Sequence, residues 1–192
     1  MESPTRERMV AAITRITNWM RDHGAPLLAD NLASGAPPER LDAVETEVGF
    51  AVPAQLREQW SIHDGQKDEQ NGFVGALDWF GTQLAVAERE DVIYLLGLLR
   101  EDRSDWVAAG VTEAEAMSDA WLPFAGRGYD RLVVSCVSGR VFTCEKDVPP
   151  LRYVDDSIVA WLEAYAARVE SGAYAVKEGF GDYYLSRTDD MH

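Results

Sequence analysis

Three histidines and two cysteines are the side chains of this 192-residue sequence best suited to chemistry near neutral pH, since imidazole titrates there and a thiolate is both nucleophile and metal ligand. His23 and His63 each close an apolar-periodic segment just ahead of a glycine, and His192 is the last residue. None has a His or Cys neighbour at metal-ligand spacing, so no zinc site can be built from the spacing. His63-Asp64 has the composition of a general base with its orienting carboxylate, but adjacent residues on a helix do not face each other. Both His23 and His63 read instead as residues at helix C-termini, where a cation meets the negative end of the dipole.

Cys136 and Cys144 flank a turn at Ser138-Gly139. A two-residue loop there pairs Val137 with Arg140 and sends the cysteines to opposite faces of the hairpin. A three-residue loop puts them on one face, diagonally offset. Free, buried thiols are the preferred reading. Asp155-Asp156 and Asp189-Asp190 read as a helix start and a solvated tail rather than as an acid/base pair. GxxxxGK, GxSxG and GxGxxG are all absent, and Gly126-Arg127-Gly128 and Gly179-Phe180-Gly181 are too short to cradle a phosphate. No enzyme signature, metal or cofactor is expected.

The elements that position these residues are legible in outline. Ser3-Pro4 starts a helix whose Met9, Ile13, Ile16 and Met20 share one face up to His23-Gly24. Residues 25–38 read as a surface connection with Leu27, Leu28 and Leu32 available to pack. A second helix is expected from Pro38 to Val48, closed by Gly49, and a third after Pro53 with Leu56 and Trp60 on one face. Phe73 to Phe80 suggests a strand. Residues 84–103 suggest one further helix, and 102–119 an acidic loop with a single helical turn. Leu132–Val137 and Arg140–Glu145 form a hairpin, with Leu151–Val154 as a third short strand. Ser157 then starts a helix carrying Ile158, Trp161, Leu162, Tyr165 and Val169, stopped by Gly172. In the tail from Ala173 to His192, part is expected to pack back. Helices, hairpin strands and a closing helix make the class α+β, a mainly antiparallel sheet covered by helices in a single domain.

The formal charge of −15 argues against nucleic acid and anionic membranes, both of which need basic surfaces. Such a charge attracts a basic partner or simply keeps the chain soluble. The N-terminus has no apolar core of the kind a signal peptide needs, and no apolar run approaches the length of a bilayer, so the cytoplasm is expected.

Three fragments, in order, resemble the SUKH superfamily, whose name-giving members are the fungal Smi and Knr-type cell-wall regulators and the bacterial Syd protein. In Arg40 to Gly65, a helix ending in Glu47-Val48-Gly49-Phe50 leads to Val52-Pro53, Leu56, Trp60, His63, Asp64 and Gly65. Trp121-Leu122-Pro123-Phe124-Ala125 runs on through Gly128, Tyr129-Asp130, the strand to Val137, Gly139 and Val141. Asp156-Ser157-Ile158 and Trp161-Leu162 are similar to the start of the family's closing helix. The helical, acidic stretch from Leu84 to Asp119 and the Val137-Ser138 step depart from the pattern.

The resemblance implies a non-catalytic immunity protein that binds and neutralises a cognate secreted toxin, such as a basic nuclease. A regulatory adaptor for an endogenous protein is the alternative, as for the fungal relatives. The surface expected to bind is acidic and exposed: Asp64, Asp68 and Glu69 on one loop, and Glu101, Asp102, Asp105, Glu113 and Glu115 in the helical insertion around 84–119. Residues 173–192 form a C-terminal extension.

Overall fold

The structure, a computed structural model, describes residues 3–68, 72–101, 103–145, 151–179 and 182–188. The chain opens with α1 (Pro4–Asp22), whose first turn is capped by Ser3 Oγ accepting from the Arg6 amide at 3.1 Å. The connection that follows contains a short helix, α2 (Pro26–Asp30), which buries Leu28 and leaves Leu27 outside. α3 (Pro38–Val48) ends at Gly49 with φ +79°, and α4 (Ala54–Ile62) follows Pro53.

Five antiparallel strands form the sheet in sequence order: β1 (Asp78–Trp79), β2 (Trp121–Arg127), β3 (Asp130–Ser135), β4 (Val141–Cys144) and β5 (Leu151–Asp155). The strand expected over Phe73–Phe80 is cut to two residues, because Gly75 at φ +60° turns the chain and Val74 pairs with Leu77. The hairpin register differs from the expected one by two residues: Ser135 donates to Arg140 O at 3.0 Å, leaving Cys136–Gly139 as the connection. An even shift preserves facing. Cys136 packs on one face of the sheet, Cys144 lies in the core of the other, and both thiols are free.

Both faces of the sheet are covered. Leu122, Phe124, Leu132, Val134 and Val141 point to a first core shared with α1, α3, α4 and the closing helix α9 (Ile158–Glu170). Trp161, Leu162 and Tyr165 of α9 are buried there, as the spacing required. The tail returns as a hairpin, β6 (Tyr174–Gly179) and β7 (Asp182–Arg187), which adds Leu185 to the same core. Trp121, Val133, Phe142, Cys144 and Leu151 point the other way, to a second core.

The stretch expected as one helix over 84–103 and a loop over 102–119 forms four helices, α5 (Thr82–Ala87), α6 (Arg89–Glu101), α7 (Arg103–Ala108) and α8 (Glu113–Ala116), of which the last three supply that second layer. The break falls at Glu88. Ala85 before it belongs to the first core and Val92 after it to the second, so the chain passes round the sheet at this residue. Arg131 of β3, itself buried over the Phe80 ring, holds the Glu88 carboxylate at the corner.

Candidate partner-binding surface

The second layer is attached to the sheet first by apolar burial and then by a polar cluster centred on one carboxylate. α6 sets Val92, Leu95, Leu96 and Leu99 on the sheet, following the helical repeat. Arg100, at its end, donates to Ala116 O at 2.6 Å, Ser118 O at 2.8 Å and Asp119 at 2.6 Å, gathering the α8 end of the layer. Trp106 Nε1 donates to Leu99 O at 2.7 Å and fixes α7 on α6.

Glu115 is the centre. Thr112 and Glu115 form a capping box: the Glu115 amide donates to Thr112 Oγ1 at 3.3 Å, and the Thr112 amide donates to the Glu115 carboxylate at 2.8 Å. The same carboxylate accepts from Arg140 Nε at 3.0 Å and from Ser138 Oγ at 2.5 Å, both in the β3–β4 region. Trp121 Nε1 donates to the Glu115 carbonyl at 3.1 Å. Burial would raise the carboxyl, but the bonds from Arg140, Ser138 and Thr112 outweigh it and hold the pKa at about 2.

This overturns one expectation. Glu115 is fully buried rather than on the surface, because its carboxylate turns inward to the Thr112 cap and to Arg140 on the sheet. Asp64 is also turned to the fold: its oxygens accept from the Thr82 amide at 2.5 Å and from Thr82 Oγ1 at 3.1 Å, capping α5. Asp68 is exposed, on a loop whose backbone is pinned to Asn31 by a 3.0 Å bond to its Oδ1. Glu101 is exposed at the end of α6, and Glu113 is exposed in the first turn of α8. Asp105 lies on α7; Glu69 and Asp102 fall outside the described residues. The expected set thus divides in two: Asp64 and Asp68 are anchored to α5 and α2, whereas Glu101, Asp105, Glu113 and Glu115 ride on the α6–α8 layer.

The outside of that layer also carries apolar side chains, which were not expected there. Tyr94 on α6 is 69% exposed, Leu98 is 43% exposed, and Val107 on α7 is 77% exposed. The signal was available, since Val92, Leu95, Leu96 and Leu99 complete the inner stripe and leave Tyr94 and Leu98 off it.

The remaining polar chemistry serves the fold. His63 Nδ1 bonds Ala33 O at 2.7 Å, and His23 stacks on Trp19 with ring centroids 4.0 Å apart. Gly65, at φ +75°, lies so close to Gly81 that an added Cβ would sit 2.2 Å from the Gly81 nitrogen. Trp60 Nε1 donates to Phe80 O at 3.1 Å. Trp60, Asp64 and Gly65 therefore clamp α4 against the β1–α5 junction, while His63 ties the end of α4 to Ala33. A cleft of about 880 Å³ lies between the tail hairpin, α9 and the sheet, lined by Leu132, Thr143, Trp161, Tyr165 and Tyr174. His63 lines neither it nor the recess of about 330 Å³ beside Pro53 and Gly139. Among the described residues no three His, Cys, Asp or Glu side chains converge as a metal site, and no helix is long and apolar enough to cross a membrane.

No curated protein matches the chain. The model of the SMI1 / KNR4 family (SUKH-1) matches residues 35–164, from just ahead of α3 into α9, and so takes in the sheet and the α6–α8 layer, with α1, α2 and the tail hairpin lying outside the match. With about two-thirds of its length matched, including the clamp at Trp60–Gly65 and the strands that follow Trp121, the chain belongs to the SMI1 / KNR4 family (SUKH-1).

Proposed function

We propose that this protein is a cytoplasmic, non-catalytic binding module of the immunity type, which neutralises a cognate toxin by direct association. The observation that carries the reading is the family match over residues 35–164. The charge of −15 supports a basic partner, such as a nuclease whose cleft is built for a phosphate backbone. Exposed Asp68, Glu101 and Glu113 provide the matching negative surface, with Glu69, Asp102 and Asp105 adding to it in sequence. Asp64 and Glu115 contribute by holding that surface in place.

The test is co-expression with the polypeptide encoded by the adjacent reading frame. The expected result is restored growth of the host and a stable complex on purification. Absence of both rejects the immunity reading. A complex with a non-toxic cellular protein would point to a regulatory adaptor instead.

A further inference from the structure

The inner stripe of α6, Val92, Leu95, Leu96 and Leu99, accounts for how this helix packs. Its outer face owes nothing to the fold, yet it is not polar throughout. Tyr94 and Leu98 stand four residues apart on that face, 69% and 43% exposed. Gly97 is exposed beside them, and a Cβ built on it meets nothing within 4 Å. Packing therefore does not call for glycine here, and glycine inside a helix lowers its stability relative to alanine. What the glycine does provide is a patch of bare backbone beside an aromatic ring and a leucine, where another chain can come close.

Acidic residues close both ends of the patch. Glu90 and Asp91 lie one turn before Tyr94, and Glu101 lies one turn after Gly97 and Leu98, all exposed. Asp91 reaches Arg131 only at 3.5 Å and keeps 70% of its side chain in solvent. A second copy of this chain docked face to face would set these carboxylates against their own kind, which disfavours self-association. A partner with an apolar side chain flanked by Lys or Arg complements both features, the apolar centre and the charged ends.

We infer that the outer face of α6 is the docking stripe for a basic protein partner, which seats an apolar side chain over Gly97 beside Tyr94 and Leu98 and pairs its cations with Glu90, Asp91 and Glu101. The inference rests on the binding-module reading and assigns it a place on the molecule.

The experiment is site-specific photo-crosslinking in the native host, with benzoylphenylalanine substituted at Tyr94, at Gly97 or, as control, at Leu27, which is 63% exposed on α2. The crosslinked polypeptide is identified by mass spectrometry and then titrated against Gly97→Gln. The expected result is one polypeptide of net positive charge crosslinked from positions 94 and 97 but not from 27. Gly97→Gln should raise the melting temperature by about 2–4 °C and weaken that polypeptide's binding at least about tenfold, whereas Leu27→Gln should do neither. A partner crosslinked only from position 27, or bound by Gly97→Gln with unchanged affinity, overturns the stripe and leaves the binding-module reading standing. Adducts with a second copy of the chain, or with an acidic protein, also overturn the stripe. No adduct from any position, together with no complex from co-expression, overturns both.

Discussion

Arg140 grips Glu115 with two nitrogens, Nε donating to one carboxylate oxygen at 3.0 Å and a terminal nitrogen to the other, and so ties α8 to the hairpin of the sheet. The carboxylate is fully buried, while the arginine side chain keeps 23% exposure. Removing one member of a buried pair costs about 3–5 kcal/mol because the other is left uncompensated. Partial access of Arg140 to water places Glu115→Ala at the low end, about 3 kcal/mol, by urea unfolding. Arg140→Ala should cost as much or more, since it strands the carboxylate.

The same pair sets an acid limit. Glu115 has its pKa lowered from 4.5 to about 2, so the unfolded chain takes up a proton at higher pH than the folded one. Its contribution is fully present above about pH 4.5 and is lost as pH falls towards 2. Stability measured from pH 5 down to 2 should fall more steeply for the wild type than for Glu115→Gln, which has no proton to gain. Parallel curves would remove this pair as the source of the acid sensitivity.

Trp161 is 2% exposed, edge-on to Phe124 at 5.2 Å and stacked on Tyr165 at 5.6 Å. Trp161→Ala should cost about 3–5 kcal/mol by chemical denaturation. A loss below about 1 kcal/mol would mean that α9 is not seated on the sheet through this ring.

Burial raises both thiols to about 12, so neither is a thiolate at neutral pH. Alkylation by iodoacetamide at pH 8 should be slow in the native protein and complete in denaturant. Because Cys136 and Cys144 serve opposite faces of the sheet, mild oxidant should leave them unbridged. A disulfide found by mass spectrometry would contradict the hairpin register.

Much of this architecture was legible because local signals and global packing agree. Ser3-Pro4, Pro38 with Gly49, and Ser157 with Gly172 bracket their helices by capping chemistry alone. β2 was obscured by Pro123, which a paired strand should exclude. The proline is tolerated because β1 pairs only with Ala125 and Gly126, so no neighbour seeks an amide from Pro123. The α8 turn carried a readable signature, Thr112-Glu113-Ala114-Glu115, masked by the acidic composition around it. That same composition made Glu115 look like surface. Only its arginine partner, 25 residues later in the chain, reverses the reading, and such long-range pairing is invisible to local pattern. The acidic loop divides for the same reason: Asp68 stays outside, while Asp64 is drawn to Thr82 across the clamp.

If negative charge at exposed Asp68, Glu101 and Glu113 steers a basic partner onto this protein, as proposed, its association rate must depend on those positions and on salt. The most direct measurement is the association rate of the co-expressed partner, followed by stopped flow across a range of ionic strengths, with wild type and with Asp68→Lys, Glu101→Lys and Glu113→Lys combined. All three positions are exposed, so the fold should survive, as circular dichroism would confirm. The wild-type rate should fall steeply with salt, and the variant rate should be at least about tenfold lower at low salt with a flattened dependence. Equal rates with equal salt slopes would contradict it.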